Sequence, residues 1–93
     1  MDLEAFTAAL KRDGYHDISE RSQPPHQTNA AHSHPFDVHA IMLQGELRLT
    51  FDGRTQVCRA GDTFTMAAGC VHEEAFGSEG AQYLVGRRPS ATT

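Results

Sequence analysis

The stretch HSHPFDVHAIMLQG, residues 32–45, decides how this chain is read. It carries three of the six histidines and runs through an apolar-rich segment to a glycine. Side chains alternate between faces along a β-strand, so His32 and His34 share one, with Cα atoms roughly 6.5–7 Å apart. Two imidazoles at that spacing can converge on one ion, each nitrogen about 2.0–2.2 Å from it. Continued alternation turns Phe36, Val38, Ala40 and Met42 to the same face, and Asp37, His39, Ile41 and Leu43 to the other. The first set is wholly apolar, which suits an interior. Pro35 complicates this register, because proline removes a ladder donor and sits at edges or bulges. A one-residue bulge there would reverse the faces and bring Asp37 or His39 inward. His39 is then the candidate fourth ligand; unbroken alternation leaves the fourth position to water or substrate.

Two histidines do not make a tight site, and His72 is the best third. It follows GDTFTMAAGCV, residues 61–71, a strand candidate (TFTMA) between a turn at Gly61-Asp62 and a second glycine turn at Ala68-Gly69. That return places an imidazole on a neighbouring strand. Between the two histidine segments, ELRLTF (46–51) alternates polar with apolar. Asp52-Gly53 then joins it to TQVCR in the manner of a type I′ hairpin. Gly45 marks a turn or a bulge, and residues 71–76 and 81–86 read as further strands.

Upstream, Leu3, Phe6 and Leu10 recur at helical spacing, which predicts a helix over about residues 2–13. Asp2 and Glu4 complement its positive end, Lys11 and Arg12 its negative end, and Gly14 stops it. Residues 22–35, with Pro24-Pro25, read as extended chain or loop. One short helix followed by many short strands predicts an all-β barrel or sandwich, over about residues 17–88 of a single domain 1–93.

The two histidine segments resemble the motifs of the cupin superfamily. Residues 32–45 are similar to its first motif, HxH followed by a glutamate and a glycine; residues 61–72 are similar to its second, a glycine, then PxG, then a histidine. The match covers roughly residues 32–76. The resemblance implies a small jelly-roll barrel, the double-stranded β-helix, with a metal inside held by His32, His34 and His72. The chain departs from the pattern in three places. The first motif lacks its leading glycine, Ala67 stands where proline is usual, and the glutamate position falls on Val38. The implied cofactor is one divalent transition ion. Three imidazoles accept Fe, Mn, Ni, Zn or Cu and select none of them.

Composition narrows the function. A net charge of −4 argues against nucleic acid as partner, and Arg87-Arg88 reads as a solvated end. Cys58 and Cys70 are too few for a disulfide framework and read as free thiols in a reducing, cytoplasmic setting. The segment MDLEAFTAAL has neither a basic flank nor a long apolar run, so neither a signal peptide nor a membrane anchor is expected. His16 and His26 lie among turn formers and are expected at the surface. Met42 and Met66 are expected inside, Cys70 as a packed thiol, and Glu73 and Glu74 as exposed charge or as partners that orient an imidazole. Ile41 and Leu43, facing away from the metal, would pack under the helix or against a second copy in a homodimer.

A dication with three neutral ligands keeps its charge and attracts a small anionic, chelating ligand. The expected function is a mononuclear metalloenzyme of dioxygenase or isomerase type; the alternative is a non-catalytic module that binds or senses a small molecule. A metal-free barrel serving as an interaction scaffold is the third reading.

Overall fold

The computed structural model describes residues 1–90. Two long strands form its spine: β3 (Phe36–Phe51) and β6 (His72–Pro89), paired antiparallel from Phe36↔Pro89 to Thr50↔Glu73. Around them lie β1 (Asp17–Gln23), β2 (Thr28–His32), β4 (Arg54–Arg59) and β5 (Thr63–Met66). The main strand order is β1-β6-β3-β4, with β2 also pairing β6 and β5 also pairing β3. This is an all-β jelly-roll barrel with one short N-terminal helix.

The sequence divides β3 at Gly45, ahead of 46–51, and reads 71–76 and 81–86 of β6 as separate strands. Both long strands are continuous because irregularities absorb the breaks. Leu43 is an extra residue between Met42↔Tyr83 and Gln44↔Gln82. Between Gly45↔Ala81 and Leu47↔Phe76, β3 advances two residues while β6 advances five. Bulges of this kind bend and twist a strand, which lets a sheet close. Glycine is required at the crossing point: Gly45 (φ +84) and Gly80 (φ +69) are left-handed, and a Cβ on Gly45 would strike the Gly80 carbonyl.

The bulges also re-phase the faces. Val38, Ala40 and Met42 point inward before the bend, Leu47 and Leu49 after it; Phe76 switches to Ala81, Tyr83 and Val85 on the partner. Phe64, Met66 and Cys58 complete the interior. Val38 is buried as unbroken alternation from His34 required, and Pro35 occupies a bend between β2 and β3. The reversal considered at that proline does not occur.

The helix α1 (Leu3–Arg12) begins where the Asp2 carboxylate accepts a hydrogen bond from the Ala5 amide, 2.9 Å, and ends at left-handed Gly14. Its Leu10 is fully buried, and the side chains of Leu10 and Tyr15 press on Gly86, where an added Cβ would lie 3.0–3.1 Å from them and force them to give way. The helix therefore covers the outer face of β6. At the tip of the β3–β4 hairpin, Asp52 and Gly53 both have positive φ, as a type I′ turn demands.

Residues 22–35 are not all loop. Gln23 ends β1, and Thr28–His32 forms β2 against β6, with Pro24-Pro25 and left-handed His26 making the turn between them. Among the described residues no helix is long and apolar enough to cross a membrane.

A candidate metal centre

His32, at the end of β2, is the register partner of His72, at the start of β6. His34 lies two residues on, in the connection to β3, where its carbonyl accepts a 2.8 Å hydrogen bond from the Gly69 amide. That bond ties the turn before β6 to the connection after β2. The three rings consequently gather, with centroids 4.3 Å apart for His32–His72, 4.9 Å for His32–His34 and 5.2 Å for His34–His72. One nitrogen from each lies within 4.8 Å of the others.

The orientation of the rings is held from behind. His32 Nδ1 donates to the Ala30 carbonyl at 2.7 Å, and His72 Nδ1 donates to the Cys70 carbonyl at 3.0 Å. A carbonyl only accepts, so in the neutral imidazole the proton sits on Nδ1 and the lone pair on Nε2. His34 stacks on Phe36 at 4.9 Å. Burial, then the neighbouring His72 and His32, push the His34 pKa below its ordinary value and favour the neutral ring that ligates metal.

His72 is 1% exposed, and its Nε2 has no hydrogen-bond partner among the described residues. A buried nitrogen lone pair without a donor costs about 1–3 kcal/mol. A cation shared with the other two imidazoles removes that cost, so the donor set fits a transition ion.

The cluster opens on a cavity of about 210 Å³. Its apolar lining is Phe36, Val38, Phe64, Met66 and Val85. Its polar lining includes Arg21, Gln23, Asn29, Glu74, Tyr83 and Arg87. Arg87 lies over the Phe36 ring at 4.7 Å, and among the described residues neither Arg21 nor Arg87 has an ion-pair partner. Gln23 Nε2 donates to the Tyr83 hydroxyl at 3.2 Å, and burial raises the Tyr83 pKa, so its own proton is available to the cavity. Glu74 Oε1 lies 3.5 Å from His32 Nε2.

The remaining candidates lie elsewhere. His39 is on the outer face, its ring 5.0 Å from that of Phe6 and 5.8 Å from that of Tyr15, apart from the histidine cluster. Asp37 also faces out. It accepts from the Ala68 amide and from Arg88, both at 2.9 Å, and these bonds, the first above all, hold its pKa below the usual carboxylate range. Neither residue brings a ligand atom into the histidine cluster. Cys58 and Cys70 are free thiols. The Cys70 thiol points to the Val71 carbonyl at 3.9 Å. His16 and His26 are exposed, while Met42 and Met66 are buried, as expected.

Arg87 and Arg88 correct the reading of a solvated end. Arg88 bridges Asp37 to the Asp13 carbonyl and lies over Tyr15, so it belongs to the outer face; Arg87 belongs to the cavity. Alternation from Tyr83 would have found Arg87. Arg21 and Asn29 were beyond reach while β1 and β2 were unassigned.

The protein-family model "Cupin domain" matches residues 20–85. Among solved structures, an RmlC-like cupin from Shewanella frigidimarina is 19% identical, with a TM-score of 0.67, covering 83% of this chain and 70% of that one. A protein of unknown function from Rhizobium leguminosarum is 22% identical, with a TM-score of 0.68, covering 88% of this chain and 89% of that one. A conserved protein of unknown function from Streptococcus pyogenes is 32% identical over 80% of this chain, with a TM-score of 0.66; the match spans 65% of its length. No curated protein matches the chain significantly. The family match over residues 20–85, on a jelly-roll barrel in which three histidines come together, establishes that the chain belongs to the cupin family.

Proposed function

We propose that this cupin holds one divalent transition ion on His32, His34 and His72 and acts as a mononuclear metalloenzyme on a small anionic substrate. The observation that carries the reading is the buried, partnerless Nε2 of His72, set beside the ring nitrogens of His32 and His34. When bound, such an ion supplies Lewis acidity toward a chelating carboxylate or carbonyl, as isomerisation needs, or, as iron, O₂ activation for a dioxygenase reaction.

The chain's own residues do the rest. Arg21 and Arg87 bind the anionic group, Arg87 held in place by Phe36. Tyr83 donates its hydroxyl proton to a ligand oxygen. Phe36, Val38, Phe64 and Met66 exclude water and admit a short apolar portion. A cavity of about 210 Å³ limits the substrate to a small molecule. A homodimer and a cytoplasmic location belong to the same proposal and are checked by light scattering and by cell fractionation.

The test is elemental analysis of untagged protein, followed by O₂ uptake and turnover assays with Fe(II), Mn(II), Ni(II) or Zn(II) against small acids, diketones and thiols. One equivalent of metal and turnover with one of these substrates is expected. Saturable ligand binding without turnover assigns the alternative, a binding or sensing module. Failure to bind any of the ions refutes the metal reading altogether.

A further inference from the structure

Glu74 sits two residues after His72 on the same face of β6, with Glu73 turned out to solvent. Its side chain is 13% exposed, and it is the one carboxylate among the residues described as lining the cavity. Oε1 stands 3.5 Å from the Nε2 of His32. That nitrogen carries a lone pair in the neutral ring, because Nδ1 is committed to the Ala30 carbonyl. Two acceptors thus face each other with no donor between them. The same holds for the Nε2 of His72, which has no partner among the described residues. The three imidazoles form the cluster that could hold a cation, and Glu74 stands at its edge, 3.5 Å from the His32 nitrogen.

From this geometry we infer that Glu74 is the fourth protein ligand of the metal, an inference that rests on the proposed metal centre. Bonds of about 2.0–2.2 Å to an ion put neighbouring donor atoms roughly 3.0–3.5 Å apart. The separation of Oε1 from His32 Nε2 already has that value. The carboxylate is held for the role. Asn29, its register partner on β2, donates Nδ2–H to Oε1 at 3.2 Å, and Gln27 Nε2 in turn donates to Asn29 Oδ1 at 3.2 Å. Gln27 and Asn29 are therefore positioning residues. Val38 is apolar and supplies no carboxylate, so Glu74 on β6 is the carboxylate of the cavity lining that could serve. A donor set of three imidazoles and one carboxylate leaves a dication with one net positive charge. It is also harder, and suits Mn(II) better than three nitrogens do.

The experiment is a titration of the untagged chain with Mn(II), following the free ion by electron paramagnetic resonance, with Ni(II) in parallel. Glu74→Gln keeps an acceptor for Asn29 and is checked for folding by circular dichroism. The expected result is a loss of Mn(II) affinity of at least about tenfold, the lower end of what removing even an outer partner of a ligand costs. The loss for Ni(II) is smaller, and Glu73→Gln changes neither. Should Glu74→Gln fail to fold, Glu74→Asp, one methylene shorter, carries the same expectation. If Glu74 serves only to pair with a protonated His32, its replacement leaves Mn(II) affinity unchanged or raises it, and that result overturns the inference alone. A wild-type chain that binds neither ion overturns the metal centre and the inference together.

Discussion

Replacing His72 with leucine is expected to stabilise the metal-free protein and to abolish its response to metal. The ring is 1% exposed and its Nε2 lacks a partner among the described residues. Such an atom costs about 1–3 kcal/mol, and a leucine of similar bulk removes it. The substitution also gives up the bond from Nδ1 to the Cys70 carbonyl, worth about 0.5–1.5 kcal/mol net. Cys70 is only half-buried, so water can replace that donor and the loss falls at the low end. The relief exceeds the loss by about 1 kcal/mol. In a domain of this size, that raises Tm by about 4–8 °C. Metal reverses the order. At a hundredfold excess over Kd the wild type gains about 2.7 kcal/mol, while the variant, left with two histidines, gains little. Calorimetry in EDTA and then in Ni(II) or Zn(II) reads both effects. A variant that melts more than about 10 °C below the wild type in chelator refutes the burial argument. Equal stabilisation of both proteins by metal refutes the site.

Burial lowers the pKa of His39, opposed by Asp13 and reinforced by Arg88. Its stabilisation is therefore complete above about pH 6.5, the unfolded value, and is lost as pH falls toward the folded one. In EDTA, His39→Leu should flatten the decline in urea stability between about pH 7 and 5, and should leave metal stoichiometry unchanged. Arg87→Met should weaken binding of a small carboxylate such as oxalate to the metal-loaded protein by roughly tenfold or more, the worth of one charged hydrogen bond, read by calorimetric titration. Gly53→Ala meets nothing within 4 Å and should cost only its positive φ, about 1–2 kcal/mol; Gly80→Ala, whose Cβ falls on the Gln23 carbonyl, should cost more in urea denaturation.

The first half of the site was legible because its signal is local. His32 and His34 sit two residues apart beside a segment whose inward residues are all apolar, and residues 61–72 supply the return to His72. The same is true of α1 and of the Asp52-Gly53 hairpin, where end charges and turn residues act within a few positions. β2 was not legible. Its residues, TNAAH, have little strand character, and it exists because β6 offers it backbone partners, a tertiary term that local pattern does not contain. The continuity of β6 was hidden for a related reason: Gly-Ser-Glu-Gly at 77–80 has the composition of a loop.

That short segment decides what the site contains. On β6, His72, Glu74 and Phe76 face inward at even positions, and Ala81, Tyr83, Val85 and Arg87 at odd ones. Strict alternation would put only one of these sets inside. If it ran from Glu74, Arg87 would face out; if it ran from Arg87, both His72 and Glu74 would leave the interior. The excess residues on β6 opposite Gly45 shift the phase once, and only then do a carboxylate and a guanidinium from one strand share a cavity, with the His72 imidazole of the same strand in the histidine cluster beside it. The bulge is therefore part of the site as well as of the fold. Deleting one residue from 77–80 should return β6 to a single phase. On the proposed reading the chain would then bind either metal or anion more weakly, even where the barrel still folds.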